Sequence, residues 1–358
     1  MDVVILLTVL FLAYANGAND NFKGVSTLFG SGTSSYNVAI NWGTVSTLAG
    51  SIYSIYLAQG LLLHFSGKGI ITDGILTEPA LNASIALGAA TTVFLATRIG
   101  IPISTTHAII GALVGAGYMA ASNAIDVNQL IEIFILPILV SPFIGCIASI
   151  ILYIILKQLR LRLKMDKNVH FVVQRPIQNL QYFARPAFSI ERKANEKYTG
   201  DIAEISARSM AHVLHFISAG AVGFARGMND TPKIAGLLLL VSFMKIPYML
   251  LGVAIAMAIG GLFNAKRVGI TMSKKITDIN PGQGFTTNII TAVLVWYASI
   301  SALPVSTTHI SVGGIFGIGV INRKADYTMV RKIVSAWILT LPIAAIITAC
   351  IFFILQHL

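Results

Sequence analysis

Charge is what this chain has least of. Asp, Glu, Lys and Arg make up 11% of its 358 residues, apolar residues make up 55%, and the mean hydropathy is +0.78. So few polar side chains do not cover the surface of a soluble domain of this length, which excludes a water-soluble globular protein. Cysteine is nearly missing as well. Cys146 and Cys350 each sit in an apolar stretch, where a thiol behaves as a small hydrophobe, and no disulfide is expected. The N-terminus has no Lys or Arg before Lys23 and no small-residue cleavage site, so no removable signal peptide is expected.

Four windows lack Asp, Glu, Lys and Arg altogether: Gly43–Leu63, Ile133–Leu156, Ile246–Ala265 and Ile333–Leu355. Each is long enough to cross a hydrocarbon core of about 30 Å as a helix of roughly 20 residues. Barrel strands would instead leave short alternating segments. The expected architecture is therefore an all-α polytopic membrane protein. The net charge of +11 is concentrated: Lys157 to Lys197 holds ten basic and three acidic residues. That is the signature of a cytoplasmic loop and speaks against a nucleic-acid partner.

Two motifs occur twice, in the same order. "GANDNFK" (17–23) matches "GMNDTPK" (227–233) at an offset of 210, and "IPISTTHAIIGALVGAG" (101–117) matches "LPVSTTHISVGGIFGIG" (303–319) at an offset of 202. This reads as a duplication, with an N-terminal transmembrane repeat at 1–156, a basic cytoplasmic linker at 157–205 and a C-terminal repeat at 206–358. In the first half the connections carry Lys68 against Asp73, Glu78 and Asp126. In the second half they carry Lys266, Arg267, Lys274, Lys275, Arg323, Lys324, Arg331 and Lys332. Equivalent loops thus fall on opposite sides, which gives two inverted-topology repeats with the linker inside and both termini outside. The polar motifs cut their apolar segments short, and Pro102 and Pro304 precede the STTH tetrads, so broken helices and re-entrant hairpins are expected.

The polar groups then need roles. Asp20 and Asp230 cost about 2.5–3.5 kcal/mol each at mid-membrane. They read as ligands for a coupling cation or proton, or, if protonated, as donors to an anion, with helix capping as the plainer alternative. Asn19 and Asn229 add neutral carbonyl oxygens beside them. Ser104, Thr105, Thr106 and their copies Ser306, Thr307, Thr308 follow a proline turn and open a Gly-rich helix. Free amides and hydroxyls at such an N-terminus suit a tetrahedral oxyanion, although Ser and Thr are also ordinary N-caps. His107 and His309 are open between carrying a proton and orienting the hairpin. Arg98 and Arg226 lie near the motifs but lack counterparts, which favours interfacial anchoring. His212 and His215 share a helix face and read as packing residues, since two His without further ligands make a weak metal signal.

These motifs resemble the PiT-type inorganic phosphate transporter family: a GxND motif followed by P-x-S-T-T-H, once per half, about a basic central loop. The resemblance spans both halves except the linker. It implies a helical inverted-repeat transporter, commonly a homodimer in membrane lipid, that imports phosphate with Na+ or H+ and is not an enzyme. By position, Asn19, Asp20, Asn229 and Asp230 would belong to the coupling-ion region, and Ser104, Thr105, Thr106, Ser306, Thr307 and Thr308 to the phosphate site. No cofactor or metal beyond that Na+ or H+ is implied. Where the family pattern has a second Asn three residues after the Asp, this chain has Lys23 and Lys233. An ammonium there pairs with the Asp, binds the oxyanion, stands where sodium would, or titrates; a snorkelling lysine is the plainer reading. Sulfate, with the same tetrahedral shape, is the competing substrate. An intramembrane Ser/His/Asp hydrolase is disfavoured because Ser and His share one local tetrad and no nucleophile elbow is present.

Overall fold

The computed structural model of the chain describes residues 1–57, 59–121, 124–162, 166–173, 192–199, 201–202, 205–239 and 241–357. Part of the expected linker, 163–165, 174–191, 200 and 203–204, lies outside the described residues. In the first half run α1 (Asp2–Asp20), α2 (Ser26–Gly30), α3 (Tyr36–Leu57), the short α4 (Gln59–His64) and α5 (Asp73–Leu76), α6 (Pro79–Ile99), α7 (Thr105–Ala120), the single turn α8 (Val127–Gln129) and α9 (Leu136–Arg162). The second half holds α10 (Ala207–Ala235), α11 (Ile246–Asn264), α12 (Lys266–Lys274), α13 (Pro281–Ile300), α14 (Thr307–Ile321) and α15 (Tyr327–Gln356). The described strands lie between the halves: β1 (Asp166–Val173) pairs antiparallel with β2 (Arg192–Thr199), and β3 (Asp201–Ile202) with β4 (Ile205–Ser206).

Among the described residues five helical stretches are long and apolar enough to cross a membrane: Asp2–Gly30, Pro79–Ile99, Val127–Arg162, Ile246–Asn264 and Tyr327–Gln356. The protein is an all-α polytopic membrane protein. Its outer face is apolar, with Phe143, Ile147, Ile338 and Ile346 exposed along α9 and α15, while hydroxyl and amide side chains are buried inside. This is the reverse of a soluble protein and follows from a solvent that is itself apolar. Pro142 and Pro342 lie inside α9 and α15, where each removes a backbone donor from its helix.

The halves exchange partners in matched pairs. Helix α1 packs on α6 of its own half and on α11 of the other; α10 packs on α13 and on α3. Likewise α7 packs on α15, and α14 on α9. The glycine that opens each GxND motif explains the first exchange. A Cβ at Gly17 would collide with the Met257 carbonyl of α11, and one at Gly227 with the Thr47 carbonyl of α3. Both glycines and both carbonyls are 210 residues apart, so the same close crossing is built twice.

The breaks expected at the polar motifs occur differently in the two halves. Helix α1 carries Asn16, Asn19 and Asp20 in its last turns, gives way at Asn21–Phe22, and continues through a 3₁₀ turn at Lys23–Val25 into α2. Helix α10 corrects the expectation: it runs unbroken through Gly227–Lys233, with Pro232 inside it, and tightens only at the 3₁₀ turn Gly236–Leu238. Pro232 removes a single donor, and side chains on either side of it hold the turn from outside, Thr231 to Ser51 at 2.7 Å and Lys233 to the Val305 carbonyl at 2.5 Å.

The hairpins before the STTH tetrads do break where proline demands. Helix α6 ends on Gly100 in the left-handed region (φ 82°), residues 101–104 are non-helical with Ser104 extended, and α7 begins at Thr105. In the copy Ala302 takes the left-handed position (φ 54°), and α14 begins at Thr307. At 21 and 20 residues, α6 and α13 are each about 30 Å long, whereas α7 and α14 have 16 and 15 residues. One limb of each hairpin thus has full membrane length and the other falls short.

Candidate functional site

The two lysines of the GxND motifs reach the same place from opposite halves. Lys23 Nζ donates to Asp20 Oδ1 at 2.5 Å, to the Ile103 carbonyl at 2.7 Å and to Thr308 Oγ1 at 2.6 Å. Lys233 Nζ donates to the Val305 carbonyl at 2.5 Å and Thr106 Oγ1 at 3.2 Å, with Asp230 Oδ1 at 3.8 Å. Ile103 and Val305 are 202 residues apart, as are Thr106 and Thr308. Each ammonium therefore binds the carbonyl just before its own half's tetrad and the second threonine of the other half's tetrad. Both lysines are buried, at 3% and 1% exposure, which a snorkelling side chain would not be.

One turn before each Asp sits a residue that bridges the two halves. Asn16 donates to Asp20 Oδ2 at 3.3 Å, Thr105 Oγ1 at 3.0 Å and Asp230 Oδ2 at 3.4 Å. Its counterpart is Arg226, which donates through Nη2 to Asn16 Oδ1 at 2.5 Å and through Nη1 to Asn21 Oδ1 at 3.0 Å. Arg226 Nε lies 3.4 Å from Asp230 Oδ2, an ion pair without hydrogen-bond alignment. Asn16 received no role from sequence, and the interfacial reading of Arg226 is overturned, because it is buried at the centre with 1% exposure. The signal was present: both residues lie four before the motif Asp, on its helix face.

Among the described residues the buried charged side chains are Asp20, Asp230, Lys23, Lys233 and Arg226. Fully ionised, they leave one positive charge in excess. The first turns of α7 and α14 supply Thr105, Thr106, Thr307 and Thr308, all buried, and helix N-termini that favour negative charge. Thr105 donates to Asp20 Oδ2 at 3.3 Å.

The remaining candidates fall into supporting positions. Ser104 and Ser306 are N-caps: their hydroxyls accept from the backbone of His107 at 3.2 Å and His309 at 3.3 Å. Asn19 pins the α6–α7 connection, donating to Thr97 at 2.9 Å and the Ile101 carbonyl at 3.2 Å and accepting from Ile103 N at 3.2 Å. Asn229 does the same in the copy, donating towards the Val305 carbonyl and accepting from Ser299 at 3.3 Å. The rings of His107 and His309 meet edge to face, 4.7 Å between centroids, and His309 Nδ1 lies 3.1 Å from the Ile138 carbonyl. Arg98 is exposed, its guanidinium over the Phe94 ring. His215 is buried between Thr27 and Thr33, the packing role expected of it. No group of three or more His, Cys, Asp or Glu suited to a metal occurs among the described residues.

A doubled GxND and STTH constellation buried at a helical crossing agrees with what comparison finds. The model of the phosphate transporter family matches residues 16–348. The chain belongs to the phosphate transporter family. A probable low-affinity inorganic phosphate transporter of Rhizobium meliloti (strain 1021) is 29% identical over 98% of this chain and 95% of its own length. One of Bacillus subtilis (strain 168), with the same description, is 25% identical over 99% of both. A solved structure titled the sodium-dependent phosphate transporter superposes with a TM-score of 0.80 at 20% identity, covering 100% of this chain and 99% of that one. At that identity the likeness speaks for the fold.

That title raises the question of whether the residues of this family member would hold sodium. A sodium ion asks for several oxygens around one point. Here the oxygens nearest the motif carboxylates surround an ammonium: carboxylate, carbonyl and hydroxyl at Lys23, carbonyl and hydroxyl with the more distant carboxylate at Lys233. The residues present do not fit a sodium ion at these two places.

Proposed function

We propose that this protein is a secondary active symporter that imports inorganic phosphate by alternating access, driven by a sodium or proton gradient. The observation that carries the reading is the buried five-charge cluster with one positive charge in excess, set against the N-termini of α7 and α14. An unbalanced charge away from water is costly, so the cluster favours an anion. The hydroxyls of Thr106 and Thr307 and the N-terminal amides of α7 and α14 offer donors from several directions, with ammonium charge close by, as a tetrahedral oxyanion needs. Asp20 and Asp230 accept hydrogen bonds, and phosphate, unlike sulfate, keeps a proton to donate. The family and the described relatives support the same substrate.

In this reading Ser104 and Ser306 serve the phosphate site by ordering the tetrads, and Asn19 and Asn229 serve the coupling region by fixing the loops that carry Ile103 and Val305. The matched exchange of partners supports alternating access, since each half reaches the other's tetrad through Lys23–Thr308 and Lys233–Thr106. The inverted orientation of the repeats, the cytoplasmic linker at 157–205, the external termini and a homodimer in lipid belong to the same proposal.

Uptake of labelled phosphate into proteoliposomes, with sodium and proton gradients imposed separately and unlabelled sulfate as competitor, tests it. Accumulation of phosphate against its gradient, poorly competed by sulfate, is expected; Asp20→Asn should reduce it to the level of empty liposomes. No accumulation under either gradient would sink the symporter reading, and equal transport of sulfate would sink the substrate.

A further inference from the structure

We propose that Lys23 and Lys233 are tethered cations seated in two matched oxygen cages, so that this chain transports its anion without sodium and runs on the proton gradient. The inference rests on the phosphate symport reading and narrows it. Lys23 Nζ spends all three of its donors, on a carboxylate at 2.5 Å, a main-chain carbonyl at 2.7 Å and a hydroxyl at 2.6 Å. These are the hard oxygen donors that a small monovalent cation would take. The cage around Lys233 is built from the equivalent carbonyl and hydroxyl, with Asp230 further off at 3.8 Å and the Phe65 ring 5.7 Å from Nζ on another side. A mobile cation entering either cage would have to displace a covalently attached one of the same charge that is already satisfied.

Charge arithmetic allows the same reading. Fully ionised, the five buried groups sum to one positive charge. A monovalent phosphate brings them to zero with no other ion, and a divalent phosphate needs one more positive charge, which a proton supplies where both cages are already filled. The carboxylates are already linked, since Asn16 donates to Oδ2 of both Asp20 and Asp230. A proton carried in with the anion therefore has two buried oxygens to land on.

Two measurements on the full chain separate this inference from the reading beneath it. In proteoliposomes, phosphate accumulation under an inward proton gradient in potassium or choline medium is expected, with no gain when sodium replaces potassium; accumulation that requires sodium overturns the inference. Thermal unfolding of the detergent-solubilised protein in sodium, potassium and choline chloride tests the cages with no reference to transport. The wild type should unfold at the same temperature in all three salts, and a sodium-specific rise overturns the inference. Lys23→Asn, which returns an amide oxygen to the cage, should acquire a sodium-specific rise; a folded Lys23→Asn without one overturns the assignment of the cage as a cation site. The wild-type measurement decides even where the variant does not fold, and failure of uptake under every gradient counts against the transport reading alone.

Discussion

At the scale of single residues, Arg226 is the group on which the buried cluster depends. It holds Asn16 and Asn21 through separate nitrogens and faces Asp230 at 3.4 Å, so its removal leaves a carboxylate with weakened compensation and two amides without their donor. Removing one partner of a buried charge pair costs about 3–5 kcal/mol. Arg226→Leu should therefore lower the unfolding temperature of the purified protein markedly, and adding Asp230→Asn should recover part of the loss. An unfolding temperature unchanged by Arg226→Leu would contradict the account. Asp20, Asp230 and the threonines were legible because their residue types are costly in a membrane and because they recur. Recurrence did not reveal Arg226 and Asn16, to which only their spacing from the motif Asp pointed: matched positions of repeated motifs normally carry like residues, and here one half supplies the guanidinium and the other the amide that receives it. Recurrence signals sameness and misses complementarity.

Elements follow backbone chemistry more closely than motif chemistry. Pro102 and Pro304 announce the non-helical stretches before α7 and α14, and the structure has them there. Pro232 announces a break that α10 does not make, because one missing donor is a smaller matter than the tertiary bonds of Thr231 and Lys233 beside it. The corner between α6 and α7 uses Gly100 at φ 82°, and the corner between α13 and α14 uses Ala302 at φ 54°. A Cβ in the left-handed region costs roughly 1–2 kcal/mol. Ala302→Gly should thus be neutral to stabilising, by up to about 1 kcal/mol once glycine's unfolded-state freedom is subtracted. Gly100→Ala should destabilise, the more so because its Cβ would meet that of Arg267 at 3.3 Å. Thermal unfolding of the two variants checks the contrast, and destabilisation by Ala302→Gly comparable to that of Gly100→Ala would refute it.

For the whole molecule, the helical class and the gathering of the doubled polar motifs were legible, the first because membrane insertion imposes a hydropathy pattern and the second because the motifs recur. The way the halves interlock was not, since the packing of α1 on α11 and of α10 on α3 depends on close crossings at Gly17 and Gly227 that no hydropathy pattern encodes. Orientation remains the proposal with the sharpest test, and matched loops provide it. Asp126 caps α8 by accepting from Gln129 N at 3.0 Å, and Asp326 caps α15 by accepting from Met329 N at 2.9 Å, so the two turns are built alike. Asn128 and Thr328 occupy the same exposed place in them. Around the second turn lie Lys274, Lys275, Lys324 and Lys332, which line a cavity of about 720 Å³ with Asp278 and Asp326; the first half puts Lys68 against Asp73, Glu78 and Asp126. Positive charge near membrane helices stays on the cytoplasmic side, so inverted repeats require Asn128 to face outward and Thr328 inward. With Cys146 and Cys350 replaced by Ala, a membrane-impermeant maleimide applied to intact cells should label Asn128→Cys and reach Thr328→Cys only after the cells are opened. Labelling of both from the same side would mean that the repeats are parallel, and alternating access would then need a different symmetry from the one the charges imply.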